Sequence, residues 1–125
     1  MLRTIILVGI GGAFGSILRY LIGVLASRFF PMEFPLGTFV VNTLGCLLIG
    51  IFIGIIDRQH VINQDFKLLL VTGFCGGFTT FSAFASENVN LLQQGHLLSA
   101  FTYTAASIIL GLFSVWFGLI LVKFI

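Results

Sequence analysis

Two stretches of this chain, 34–56 and 68–86, contain no charged residue, and a third, 88–122, contains no Asp, Glu, Lys or Arg and a single histidine, His96. Each exceeds the ~18 apolar residues that mark a candidate membrane span, against about 20 needed to cross the hydrocarbon as a helix. A fourth stretch, 4–25, is uncharged except for Arg19. In lipid the backbone must satisfy its own hydrogen bonds, which leaves helices or a closed barrel. Barrel strands alternate polar with apolar residues, and a run such as CLLIGIFIGII does not. The expectation is an all-α membrane protein of four transmembrane helices, at 4–27, 36–56, 68–92 and 97–122, in a single domain.

Composition agrees. Only 8% of the 125 residues are charged, where a soluble domain carries about a quarter. The first segment has Arg3 ahead of an apolar run, as a secretory signal does. It is long, however, and lacks a convincing small-residue cleavage site, so a retained first helix is expected. Cys46 and Cys75 both fall inside spans and read as small buried apolar residues. A net charge of +2 is too small to suggest nucleic acid. Four spans put Arg3, Arg58, Lys67 and Lys123 on one side against Arg28 on the other, a bias toward cytoplasmic termini too modest to exclude dual orientation.

The loops are short, with Pro31 and Pro35 between the first two spans and Gly95 a C-cap candidate before the last. Four helices of this size enclose little, so a transport path requires a second subunit. Gly11 and Gly15, and Gly50 and Gly54, form GxxxG pairs suited to close helix packing. Gly73, Gly76 and Gly77 stand mid-span beside Thr79 and Thr80, where a helical ladder is weak. Non-helical backbone at that depth survives only inside protein or along a hydrated cavity, where its carbonyls and N–H groups can hold ions. The third span is expected to break there.

Polar groups at membrane depth mark the candidate site. Asn42 lies one turn after Thr38, and Ser107 one turn after Tyr103, so each pair shares a helix face. Arg19 and Glu87 are the charges inside spans, and such residues face the bundle interior or an aqueous path. Phe78, Phe81 and Phe84 recur at intervals of three among Thr79, Thr80 and Ser82. An aromatic ring has a positive edge, so rings turned edge-on can accept a small hard anion. Asn42, Ser82, Tyr103 and Ser107 can add hydrogen-bond donors.

GGAFGSILRY (11–20), PLGTFVVNTLG (35–45) and TGFCGGFTTFSAF (72–84) resemble the signature segments of the Fluc family of fluoride channels, also called CrcB-type fluoride exporters. The resemblance covers essentially the whole chain. It implies a bacterial-type inner-membrane protein, assembled as an antiparallel dual-topology homodimer with two pores for passive fluoride efflux. By the same resemblance Phe81 and Phe84 line the pore with Asn42 and Thr38, and the polar track continues through Ser82, Tyr103 and Ser107. Glu87 falls at the vestibule end, and Arg19 is the first-helix arginine. A structural sodium ion would be held by backbone carbonyls of Gly76 and Thr79 from both subunits. Ala83 and Gly111 depart from the family pattern by lacking hydroxyls. The competing class, small proton-coupled exporters of cations, needs a carboxylate in the middle of the first span, where this chain has only Arg19. His60 and His96 sit in loops without a metal-ligand cluster, and no catalytic pair can be argued, so an enzyme is not expected.

Overall fold

The computed structural model describes residues 1–59 and 63–125; His60 lies outside them. Four helices are long and apolar enough to cross a membrane, Leu2–Phe29, Leu36–Arg58, Gln64–Gln93 and Leu97–Lys123, and no strand occurs among the described residues. They are called the first to fourth helices below.

The helix ends follow local chemistry. Pro35 precedes the second helix, where its missing N–H costs nothing. The third ends on a paired capping motif, with Gly95 N–H on Leu92 C=O at 3.1 Å and His96 N–H on Leu91 C=O at 2.8 Å. Gly95 adopts φ +81°, a left-handed conformation that side chains disfavour. Arg58 donates to the Val122 carbonyl at 2.6 Å, a cation at the C-terminal end of the fourth helix.

Side-chain contacts tie the two ends of the bundle. Arg3 pairs with Asp65 at one end, and His96 Nδ1 lies 3.3 Å from Glu33 at the other. Arg3 at the start of the first helix thus sits beside Asp65 at the start of the third, and Arg58 at the end of the second beside the end of the fourth.

Glycines set two close interfaces. A Cβ on Gly11 would lie 2.1 Å from the Leu69 carbonyl oxygen, and one on Gly15 would lie 2.2 Å from that of Phe74. Gly73 and Gly77, a GxxxG pair in the third helix, press back on Val8, Gly11 and Gly12. Likewise Gly50 and Gly118 bring the second and fourth helices together, with Gly54 against Val122. Backbones this close maximise van der Waals contact where lipid supplies no hydrophobic drive.

The first half of the third helix differs from a plain α-helix. Lys67–Cys75 is wound as a π-helix. Its i→i+5 bonding widens each turn, and this returns Leu69, then Gly73 and Phe74, then Gly77 and Phe78, to the line facing the first helix. The wider winding of this stretch departs from the plain helix expected for 68–92.

Candidate functional site

Helical winding passes through Gly73, Gly76 and Gly77 and stops at the two threonines that follow. Thr79 (φ −84°, ψ 156°) and Thr80 (φ −151°, ψ 117°) are extended, and winding resumes at Phe81. The glycines, which the sequence suggested as the weak point, are instead helical: Gly73 and Gly77 pack on the first helix, while Gly76 is exposed and a Cβ there would meet nothing within 4 Å.

The two threonine hydroxyls do opposite jobs. Thr79 closes the first half, its N–H and Oγ1 both on the Cys75 carbonyl, at 2.9 and 2.8 Å. Thr80 opens the second, its Oγ1 accepting the Ala83 N–H at 3.2 Å as an N-cap. Asn42, on the second helix, takes the Thr80 N–H on Oδ1 at 2.8 Å and gives an Nδ2 hydrogen to the Thr80 carbonyl at 3.1 Å. One amide hydrogen of Asn42 remains. Gly45, one turn nearer, lets the second helix close on Thr79, whose Cγ2 would lie 2.2 Å from a Cβ there.

These bonds release particular carbonyls. In a continuous helix the Thr80 N–H would bond Gly76 C=O and the Ala83 N–H would bond Thr79 C=O; here they go to Asn42 and to Thr80 Oγ1. Gly77 C=O receives Arg19 Nε at 3.0 Å and Ser16 Oγ at 3.5 Å.

Several predicted residues meet beside the threonines. Asn42, Thr79, Phe81, Phe84 and Ser107 line an open pocket of about 300 Å³, with Cys46, Ile49, Thr80 and Ile108. Phe81 is 79% exposed, a ring on the outer surface of one chain. Its centroid lies 5.7 Å from that of Phe84, and Phe84 lies 5.0 Å from Tyr103. Ser82 is exposed, its hydroxyl 3.2 Å from Thr80 Oγ1. Phe78 takes no part: it is buried and stacked on Phe74, with centroids 5.6 Å apart.

The remaining predicted residues stand elsewhere. Arg19, Thr38 and Ala83 line a cleft of about 440 Å³ between the first two helices, which Thr80 also reaches. A neighbouring cavity of about 250 Å³ shares Thr38 and takes in Glu87. Glu87 accepts from Thr38 Oγ1 at 2.6 Å and from Tyr103 OH at 2.8 Å, joining the second, third and fourth helices. Tyr103 is fully buried and packs edge-on against Phe34. Sequence reasoning placed these three near the path but missed that they bond one another. Nor did it find the pair of Asn88 and Thr104, at 2.9 Å, which ties the third helix to the fourth. Four-residue spacing flags a shared face within one helix; nothing in it names a partner on another.

The arrangement defines a class: a four-span membrane protein whose third helix carries two extended residues beside a pocket of rings, hydroxyls and an amide. The particular family follows from comparison with known proteins. The model described as CrcB-like protein, Camphor Resistance (CrcB), matches residues 6–119, and the chain belongs to that family. It is 46% identical over 122 residues to the fluoride-specific ion channel FluC of Flavobacterium psychrophilum, covering 98% of each chain. To the protein of the same name from Phocaeicola vulgatus it is 46% identical over 94% of this chain and 97% of the relative. The one from Azobacteroides pseudotrichonymphae is 45% identical over 99% of both. The relatives' names describe ion channels, not enzymes.

Proposed function

We propose that the chain is a subunit of a fluoride-selective channel that lets fluoride leave the cell passively across the inner membrane. The observation carrying this is the single pocket formed by Asn42, Phe81, Phe84 and Ser107 at the interruption. Fluoride is small and tightly hydrated, so a path for it must replace lost water with donors and positive ring edges. The free Asn42 amide hydrogen, the Ser107 hydroxyl and the edges of Phe81 and Phe84 do so without a formal charge that would trap the ion. Ser82 extends the track on one side; Tyr103, Glu87 and Thr38 extend it toward the cavity that Thr38 and Glu87 line. Conduction needs sites that bind and also release.

The break also places two helix ends together in what we read as the middle of the membrane. The first half ends with partial negative charge at its freed carbonyls, and the second begins with partial positive charge at Phe81. A cation suits the former and an anion the latter. The freed carbonyls of Gly76 and Thr79 fit a hard cation: they are neutral oxygen donors, and Gly76 opens on the exposed face. Sodium held there by two antiparallel copies would clip the dimer and add a favourable field for the anion. Phe81, exposed in one chain, would then be covered in the homodimer, which would carry two pores.

Purified protein in fluoride-loaded liposomes should release fluoride to an electrode and retain chloride. Release of both at equal rates would remove selectivity, and release of neither would remove the channel.

A further inference from the structure

Arg19 draws attention by its charge, yet its geometry gives it different work. Gly12, Ser16 and Arg19 follow one another at i, i+4 and i+7, along one face of the first helix. Gly12 meets the backbone of Gly77, where a Cβ would lie 2.4 Å from the Gly12 carbonyl oxygen. The next two positions on that face deliver donors to the Gly77 carbonyl: Arg19 Nε at 3.0 Å and Ser16 Oγ at 3.5 Å. In an unbroken helix that carbonyl would accept from the Phe81 N–H. Here Thr79 and Thr80 are extended, and Phe81 begins a new helix.

We infer that Arg19 is a positioning residue: its Nε–H stands in for the Phe81 N–H on the Gly77 carbonyl and so fixes where the third helix stops. Asn42 performs the matching task on the far side, holding both backbone groups of Thr80. The interruption is gripped by the first helix at Gly77 and by the second at Thr80. Thr79, whose carbonyl belongs to the proposed cation site, lies between the two grips, and Gly76 adjoins the first.

The donor is Nε rather than a terminal guanidinium nitrogen, and this makes the inference testable. Counted in bonds from Cα, glutamine Nε2 falls where arginine Nε does. Arg19→Gln therefore keeps the donor and removes the charge. Lysine has a methylene at that position and its ammonium one bond further, so Arg19→Lys keeps the charge and displaces the donor. A residue acting by its charge ranks the two the other way.

Fluoride efflux and hydrogen–deuterium exchange over residues 76–84 are measured on reconstituted and on detergent-purified protein of unchanged elution volume. The flux readout rests on the channel reading; the exchange readout does not. Arg19→Gln should conduct within about threefold of the unaltered protein and keep its exchange pattern. Arg19→Lys should lose about tenfold in flux, the upper scale of one ordinary hydrogen bond, with Thr80 and Ala83 amides exchanging about tenfold faster. Lysine outperforming glutamine, or all variants exchanging alike, overturns the inference. Should the unaltered protein pass no fluoride, the channel reading fails and exchange alone decides the role of Arg19.

Discussion

Before Thr79 the third helix lies on the first through bare backbone at Gly11, Gly15, Gly73 and Gly77. Beyond Thr80 it is held by side-chain hydrogen bonds, Glu87 to Thr38 and Tyr103, and Asn88 to Thr104. The first mode fixes a separation set by atomic radii, with no side chain able to turn aside. The second is made of rotatable hydroxyls, carboxyls and amides that can exchange one partner for another. A path for ions needs both: a rigid half that holds the interruption in place, and a polar half whose donors can follow a passing anion.

The largest effect should come from violating the rigid half. In Gly15→Val the new Cβ would sit 2.2 Å from the Phe74 carbonyl oxygen and 2.7 Å from the Phe78 N, both backbone atoms. Overpacking that cannot be relieved by a rotamer change costs about 3 kcal/mol. Thermal unfolding in detergent, followed by loss of the main size-exclusion peak, should show it. A Gly15→Val protein as stable as the unaltered one would mean that this half is as adaptable as the other.

Next comes the pocket. Replacing Phe81 and Phe84 together with alanine should slow fluoride efflux about thirtyfold, taking about 1 kcal/mol for each ring. Unchanged efflux would sever the rings from the path. Sodium tests the junction between the halves. If Gly76 and Thr79 bind it, replacing sodium by N-methylglucamine should remove about 1.4 kcal/mol of dimer stability at tenfold saturation. Dimer dissociation measured by single-molecule photobleaching in liposomes checks this, and an ion-independent dimer would contradict it.

Much of this division could be read from the sequence. Uncharged length located four helices, and four-residue glycine spacing marked Gly11 with Gly15 and Gly50 with Gly54 as contact points. Chain grammar was less informative at the interruption. Glycine is the usual suspect for a weak helix, but Gly73 and Gly77 are small because another backbone lies against them. The threonines carry the change of direction because their hydroxyls can cap a helix end from either side. The candidate site residues stood out in the sequence as polar intruders in apolar helices. Their partners were not, since Asn42 with Thr80, and Glu87 with Thr38 and Tyr103, meet only after the helices pack.

Within the polar half, Tyr103→Phe removes one donor from Glu87 and little volume from a fully buried site. The cost should be about 1 kcal/mol of stability, the net worth of one hydrogen bond. A loss as large as that of Gly15→Val would erase the contrast between a rigid and an adaptable half.

The smallest effect concerns Ala83, where the chain lacks a hydroxyl. Its side chain belongs to the cleft between the first two helices, with Arg19 and Thr38, rather than to the pocket of Phe81 and Phe84. Its N–H is already bonded to Thr80 Oγ1, so the local cap is complete without a side-chain oxygen. Ala83→Thr would add one hydroxyl to an open, partly polar cleft at the third position of a helix, where a β-branched residue costs only a few tenths of a kcal/mol. Fluoride efflux should change by less than about threefold, the effect of under 1 kcal/mol. A tenfold change would instead place this cleft on the conducting path and shift the adaptable half of the molecule toward the first helix.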